Sequence, residues 1–327
     1  MSIIKNKLRL GFLSPISAEW FNIHSENAIM AKTVEEADYI IFESNGDPIP
    51  LIMNIKARYP KNKLVFILSG DQSAPIDDEC IWFSNAVRSS GLAKRQTQIF
   101  VSNPAIFKYY SQHIASEKDN VPNNADIISV SNRDIDIYFK GTIWSGMRMD
   151  MYNYFKDKPG CVVLENNNYW GWRLNPSNKP TQEELENTAY DTYNDMTRSK
   201  ICLCPKGNGN SSMRILEALA CGSVPVLIND FSAPFGVAWN EIGLVFDTRI
   251  HRWDYIYLEC QNLLKDNEKL SNMQKKGLEY FKNVVYGDAK MIGFRMYNDI
   301  NTVCFGFSNK IIEKLITEKL ITEKVME

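Results

Sequence analysis

The residues best suited to chemistry stand together between positions 198 and 230, RSKICLCPKGNGNSSMRILEALACGSVPVLIND. The apolar run Ser199–Pro205 predicts a buried strand. Lys206-Gly207-Asn208-Gly209-Asn210 follows as a turn whose glycines let backbone N–H groups approach an anion closely. Ser211 or Ser212 suits the N-cap of a helix that aims its free N–H groups and positive dipole end back at that turn. Arg214 and Glu217, spaced i, i+3, then share one face of its first turns. An arginine there can grip a diphosphate in bidentate fashion, and a glutamate one turn on can accept from both hydroxyls of a ribose. The same spacing also suits an ordinary surface ion pair with no ligand. Ile215, Leu216 and Leu219 give the helix an apolar face, and Gly222 is placed to close it at C′.

Such a site needs a sheet to carry it, and the chain supplies strands alternating with helices. Strands are expected at 8–13, 37–43 and 63–68, with helices over 49–59 and 106–115. A polar stretch with Pro and paired Asn, 116–131, reads as a linker. The alternation restarts with strands at 136–141, 161–164, 199–205, 224–228 and 243–246 and a helix over 147–156. A further helix begins at the capping-box pattern Thr181-x-x-Glu184. The fold class expected is α/β, two facing Rossmann-like domains with a central cleft. The domains are an N-terminal Rossmann-like domain at 1–125, a C-terminal Rossmann-like domain at 126–305, and a helical tail at 306–327. The repeat Glu-Lys-Leu-Ile-Thr in that tail matches no heptad and reads as a frayed or partly ordered helix.

Bulk composition narrows the partners. A net charge of −2 over 327 residues leaves no basic field for nucleic acid or acidic lipid, and small ligands become the default. Seven scattered cysteines fit reduced, buried thiols better than a disulfide framework. Cys202 and Cys204 are expected to face the same side of a strand. No signal-peptide h-region opens the sequence and no apolar run reaches about 18 residues, so a soluble cytoplasmic protein with no membrane span is expected.

The 198–230 segment resembles the signature of the exostosin-like glycosyltransferases (glycosyltransferase family 47). That family shows a strand Ser-Lys-Phe-Cys-Leu-x-Pro-x-Gly, a helix Ser-x-Arg-x-x-Glu-Ala, and then Gly-Cys-x-Pro-Val. This chain has Ser199-Lys200-Ile201-Cys202-Leu203-Cys204-Pro205-Lys206-Gly207, then Ser212-Met213-Arg214-Ile215-Leu216-Glu217-Ala218, then Cys221-Gly222-Ser223-Val224-Pro225-Val226. The Gly-Cys order is reversed at 221–222, and the loop before the helix is short. A looser match is Phe139-Lys140-Gly141 with the later Arg148, similar to the family's Phe-Arg-Gly strand end.

The resemblance implies an inverting glycosyltransferase of the GT-B type, with 1–125 as the acceptor domain and 126–305 as the nucleotide-sugar-binding domain, a UDP-sugar donor as substrate, no cofactor and no essential metal, acting on a hydroxyl of a glycan or glycoprotein acceptor. The implied donor-binding residues are Lys206, Gly207, Ser211, Ser212, Arg214, Glu217, Gly141 and Arg148. Inversion needs a base for the acceptor hydroxyl, expected from the N-terminal domain. Asp71, at the carboxyl end of the strand 64–68, is the candidate, although it equally suits a turn cap. Asp77, Asp78, Glu79 and His24 are alternatives, and Tyr169, Trp170 and Trp172 form a loop cluster able to stack on sugar or uracil. The one Asp-x-Asp pattern, Asp134-Ile135-Asp136, stands at the wrong end of its strand for a ligand-held metal. Two other functions compete: a fucosyltransferase-like GT-B enzyme using a GDP-sugar, and a non-catalytic nucleotide-sugar or glycan-binding protein.

Overall fold

The structure is a computed structural model. It describes residues 7–13, 28–44, 49–68, 77–84, 96–98, 100–102, 105–114, 133–143, 145–166, 180–207, 212–229, 238–286, 303–305 and 315–319. These form two parallel sheets. The first contains β1 (Leu8–Phe12), β2 (Ala28–Met30), β3 (Tyr39–Ser44), β4 (Leu64–Leu68), β5 (Ile81–Ser84) and β6 (Gln96–Gln98), in the order β2-β1-β3-β4-β5-β6. Helix α1 (Ile49–Arg58) packs on one face through Ile52 and Ile55. The strand β7 (Phe100–Ser102) leads to α2 (Ala105–His113).

Both faces of the first sheet are covered, which is why its central strands read as continuous apolar runs without alternation. Ile40, Phe42, Leu64, Phe66 and Trp82 face one core, while Tyr39, Ile41, Val65, Ile67 and Phe83 face the other. The second core also holds Leu315, which is fully buried. Leu315 belongs to the helical segment 315–319, and Lys319 of that segment pairs with Asp38 at 3.2 Å. Of the frayed or partly ordered tail helix expected from the five-residue repeat, the turn over 315–319 is described, and its Leu315 and Ile316 meet the core of the first sheet.

The second sheet contains β8 (Ile135–Gly141), β9 (Cys161–Glu165), β10 (Ser199–Pro205), β11 (Val224–Asn229) and β12 (Leu244–Asp247), in the order β12-β11-β10-β8-β9. Its helices are α3 (Gly146–Phe155), α4 (Gln182–Thr197), α5 (Arg214–Ala220), α6 (Trp239–Ile242), α7 (Trp253–Lys265) and α8 (Asn267–Tyr280). A short π-helical turn over Phe281–Tyr286 follows. Alternation in β10 is clean: Cys202 and Cys204 face a core shared with α2, α4 and α5, and Ile201 and Leu203 face the other with α3 and α7. The six described cysteines are all free thiols. α2 follows the first sheet in the chain yet packs Ile106, Phe107, Tyr109 and Tyr110 into the second core. β13 (Val303–Phe305) returns to pair antiparallel with β7. The chain thus carries two Rossmann-like α/β units, as the alternation of strands and helices predicts.

Local signals set several element ends. Thr181 and Glu184 close the expected capping box at the start of α4. Gly222 adopts φ +67°, and its N–H reaches Leu219 O while Ser223 N–H reaches Ala218 O at 2.9 Å, a Schellman closure of α5. A Cβ at Gly222 would stand 2.9 Å from an Arg133 Nη2. Gly222→Ala is therefore expected to destabilise the chain by about 1–2 kcal/mol, from left-handed backbone strain alone. A urea melt measures it, and a cost near zero would contradict this account of the helix end.

Candidate functional site

In the second sheet β8 and β10 are parallel neighbours, but their connections leave in opposite directions, β8 outward to β9 and β10 outward to β11. The crevice beyond their carboxyl ends is the topological switch point, where doubly wound sheets bind ligands. Lys140 and Gly141 end β8, and Pro205 and Lys206 stand at the end of β10. Arg214 crosses this crevice. Its Nη2 donates to Lys140 O at 2.9 Å, and its Nη1 pairs with Glu217 Oε2 at 2.8 Å. Glu217 Oε1 accepts from the Tyr193 hydroxyl at 3.1 Å. The pair is not a solvated surface bridge, since the side chains are only 20% and 6% exposed. Burial works to discharge Arg214, but the Glu217 carboxylate against it holds its pKa above the ordinary arginine range. The group is a fixed cation with one edge toward solvent.

Arg148 braces the same crevice from α3, whose N-cap Ser145 accepts from Arg148 N. Its Nε donates to Lys206 O at 2.9 Å, its Nη1 to Thr142 O at 3.0 Å and its Nη2 to Pro205 O at 3.4 Å. These bonds tie the start of the glycine turn to the end of β8. The sequence had placed Arg148 among phosphate ligands, whereas here its guanidinium is turned onto backbone carbonyls. A Cβ on Gly141 would come within 2.9 Å of the Phe139 ring, so packing alone requires that glycine. Lys206 N–H continues the ladder to Ile228 O, and Gly207 follows it.

The helix start differs from expectation. α5 begins at Arg214, and its N-cap position is Met213 with no side-chain cap bond. Ser212 is buried and its carbonyl accepts from Ile215 N–H, and among the described residues no helix N–H donates to its hydroxyl. Ser211 lies outside the described residues, as do Asp71, His24, Tyr169, Trp170 and Trp172. The acidic run is described: Asp77 caps a turn by accepting from Glu79 N–H and Cys80 N–H, and it pairs with Lys56. That turn precedes β5, at the amino end of the sheet, away from the carboxyl ends where ligands sit. Asp134 and Asp136 flank the start of β8 and are engaged by Arg198 and Lys200, the latter at 2.7 Å. His113 packs against Tyr109 and Tyr190.

Sequence reasoning missed Tyr193, which lies in the last turns of α4 and is 1% exposed. Its signal was faint, since a tyrosine on an apolar helix face reads as core. It also missed Arg133, a buried arginine just before β8 whose Nη1 donates to Ser199 O at 2.6 Å and whose Nη2 donates to Cys221 O at 3.1 Å. Arg133 lies at the amino end of β8, opposite the site, and burial lowers its pKa to about 10.

Together these features define a doubly wound α/β unit with a buried cation at its switch point, a geometry suited to a phosphorylated ligand. The model of the Exostosin GT47 domain matches residues 106–252. A probable glucuronosyltransferase of Oryza sativa subsp. japonica is 30% identical over 150 residues, 44% of this chain and 32% of that protein. A probable beta-1,4-xylosyltransferase of Arabidopsis thaliana is 30% identical over 164 residues, 48% of this chain and 38% of that protein. The chain thus spans about a third of the length of these relatives. Among solved structures, Anabaena HepE in complex with UDP and glucose aligns at 10% identity over 86% of this chain and 71% of that one, with a TM-score of 0.38. Among the described residues no helix is long and apolar enough to cross a membrane.

Proposed function

We propose that the chain is an inverting, metal-independent glycosyltransferase that moves a sugar from a UDP-sugar to a hydroxyl of a glycan or glycoprotein acceptor. The observation that carries this reading is Arg214, a buried cation held by Glu217 and Lys140 O across the β8–β10 switch point. Transfer leaves charge on the departing diphosphate, and a fixed guanidinium stabilises that charge without reorganising. Lys206 supplies further positive charge at the same strand end. Glu217 supports this role as the buried anchor of Arg214, its two oxygens engaged by Arg214 and the Tyr193 hydroxyl rather than left open to the ribose the sequence assigned to it. The aspartates of the Asp134-Ile135-Asp136 pattern are occupied by Arg198 and Lys200 at the far end of β8, which favours cationic side chains over a metal as the diphosphate's counter-charge. Asp71, the base expected from the sequence, takes the acceptor proton as the oxygen attacks the anomeric carbon. The GT47 domain and the names of the relatives support transfer, and those names make UDP-glucuronate and UDP-xylose the first donors to try.

A thermal-shift panel of UDP, GDP, UDP-glucuronate, UDP-xylose, UDP-glucose, UDP-galactose, UDP-N-acetylglucosamine and GDP-fucose, each with and without EDTA, tests the reading. A ligand at about 100 times its Kd adds about 2.7 kcal/mol, which a melt resolves. UDP compounds are expected to stabilise the chain with EDTA making no difference. Stabilisation by GDP compounds alone would assign the site to a GDP-sugar instead, and no response would remove the donor site.

A further inference from the structure

We propose that Tyr193 is a positioning residue for the nucleoside diphosphate, acting through Glu217. This rests on the donor-site reading above and extends it to a residue from outside the signature segment. A carboxylate held by one oxygen can still swing. Here Glu217 Oε2 pairs with Arg214 at 2.8 Å while Oε1 accepts from the Tyr193 hydroxyl at 3.1 Å, so both ends of the group are fixed. Arg214 is in turn registered on Lys140 O at 2.9 Å. The chain Tyr193–Glu217–Arg214–Lys140 thereby runs from α4 through α5 to β8 and spans the switch point.

The foundation of this chain is itself locked. The neighbouring residues of α4 bond outward, Asn194 Oδ1 accepting from Tyr109 Oη at 2.7 Å and Asp195 Oδ2 from Tyr138 Oη at 3.4 Å. Tyr193 is 1% exposed and Glu217 5%, so water cannot replace the hydroxyl without the core opening. The ring of Tyr193 packs against Tyr109 and Tyr190 with centroids 5.3 and 6.5 Å away, packing that a phenylalanine preserves. The hydroxyl acts separately from the ring. It holds the carboxylate so that Arg214 meets the diphosphate without reorganisation.

Tyr193→Phe in the full chain isolates the hydroxyl. Titration with UDP is expected to give a Kd about tenfold weaker, the scale of one lost hydrogen bond to a charged group. With the UDP-sugar the panel selects, the donor KM should rise by the same factor while kcat stays within about twofold, a split that a packing role would not produce. The melting temperature of the free protein serves as the folding control. A UDP affinity equal to wild type in a folded Tyr193→Phe would overturn the inference. Arg214→Ala separates the two ideas: if it loses UDP while Tyr193→Phe does not, only the role of Tyr193 falls, and if it too binds UDP undiminished, the donor site falls with it.

Discussion

Arg214→Ala is expected to cost the chain both its nucleotide and part of its stability. The affinity for UDP should fall by about 100-fold or more, since the charge-assisted, bidentate contact to the diphosphate disappears. The free protein should lose about 3–5 kcal/mol, because the Glu217 carboxylate, 6% exposed, is left buried with the neutral Tyr193 hydroxyl in place of a cation. The two losses are separable. In the double variant Arg214→Met with Glu217→Leu no charge is stranded, and apolar replacement of a buried pair is often neutral or stabilising. That variant should recover the stability and none of the UDP binding. Denaturant melts and UDP titrations of the single and double variants check both halves. UDP binding retained by the double variant would show that the pair is only a core ion pair.

Arg133→Ala is expected to cost about 3–5 kcal/mol, with no direct effect on the site. Among the described residues this buried guanidinium has no carboxylate beside it and is answered by carbonyls: Ser199 O, Cys221 O and Met196 O. Met196 and Cys221 stand at the carboxyl ends of α4 and α5, where helix dipoles favour a cation. One side chain thus gathers two helix ends and the start of β10. Arg133→Lys should recover little, because an ammonium cannot present the planar fork that reaches these acceptors together. Melting temperatures of both variants measure this, and a loss under about 1 kcal/mol for Arg133→Ala would refute the role.

Both residues show what the sequence made legible. The switch-point pair was readable because i, i+3 spacing is local and the surrounding segment carries a family signature. Its state was not readable, since nothing in Arg-x-x-Glu separates a solvated bridge from one sealed under Tyr193. The partner comes from α4, 24 positions earlier in the chain, and only tertiary packing brings it there. Arg133 was invisible for the same reason: its acceptors are backbone carbonyls 63 to 88 positions away. Among the elements, the long apolar runs of β1, β3, β4, β8, β10 and β11 announced themselves, because parallel strands covered on both faces need nothing but apolar residues. The three-residue strands β2, β6, β7 and β13 are too short to carry a period. Helix α7 did carry one, with Trp253, Ile256, Tyr257, Cys260, Leu263 and Leu264 at helical spacing, although no helix was expected there. Arg148 illustrates a different limit. Its place beside the site was legible, but whether it faces a phosphate or the protein's own carbonyls depends on how the β8 and β10 loops meet.

The central claim is that a nucleoside diphosphate occupies the carboxyl ends of β8 and β10. Hydrogen–deuterium exchange of the full chain with and without saturating UDP tests it most directly. Protection is expected in peptides covering 138–148 and 201–217, where Arg148 and Arg214 hold the strand ends. Protection confined to the first sheet, or absent from both sheets, would contradict the account.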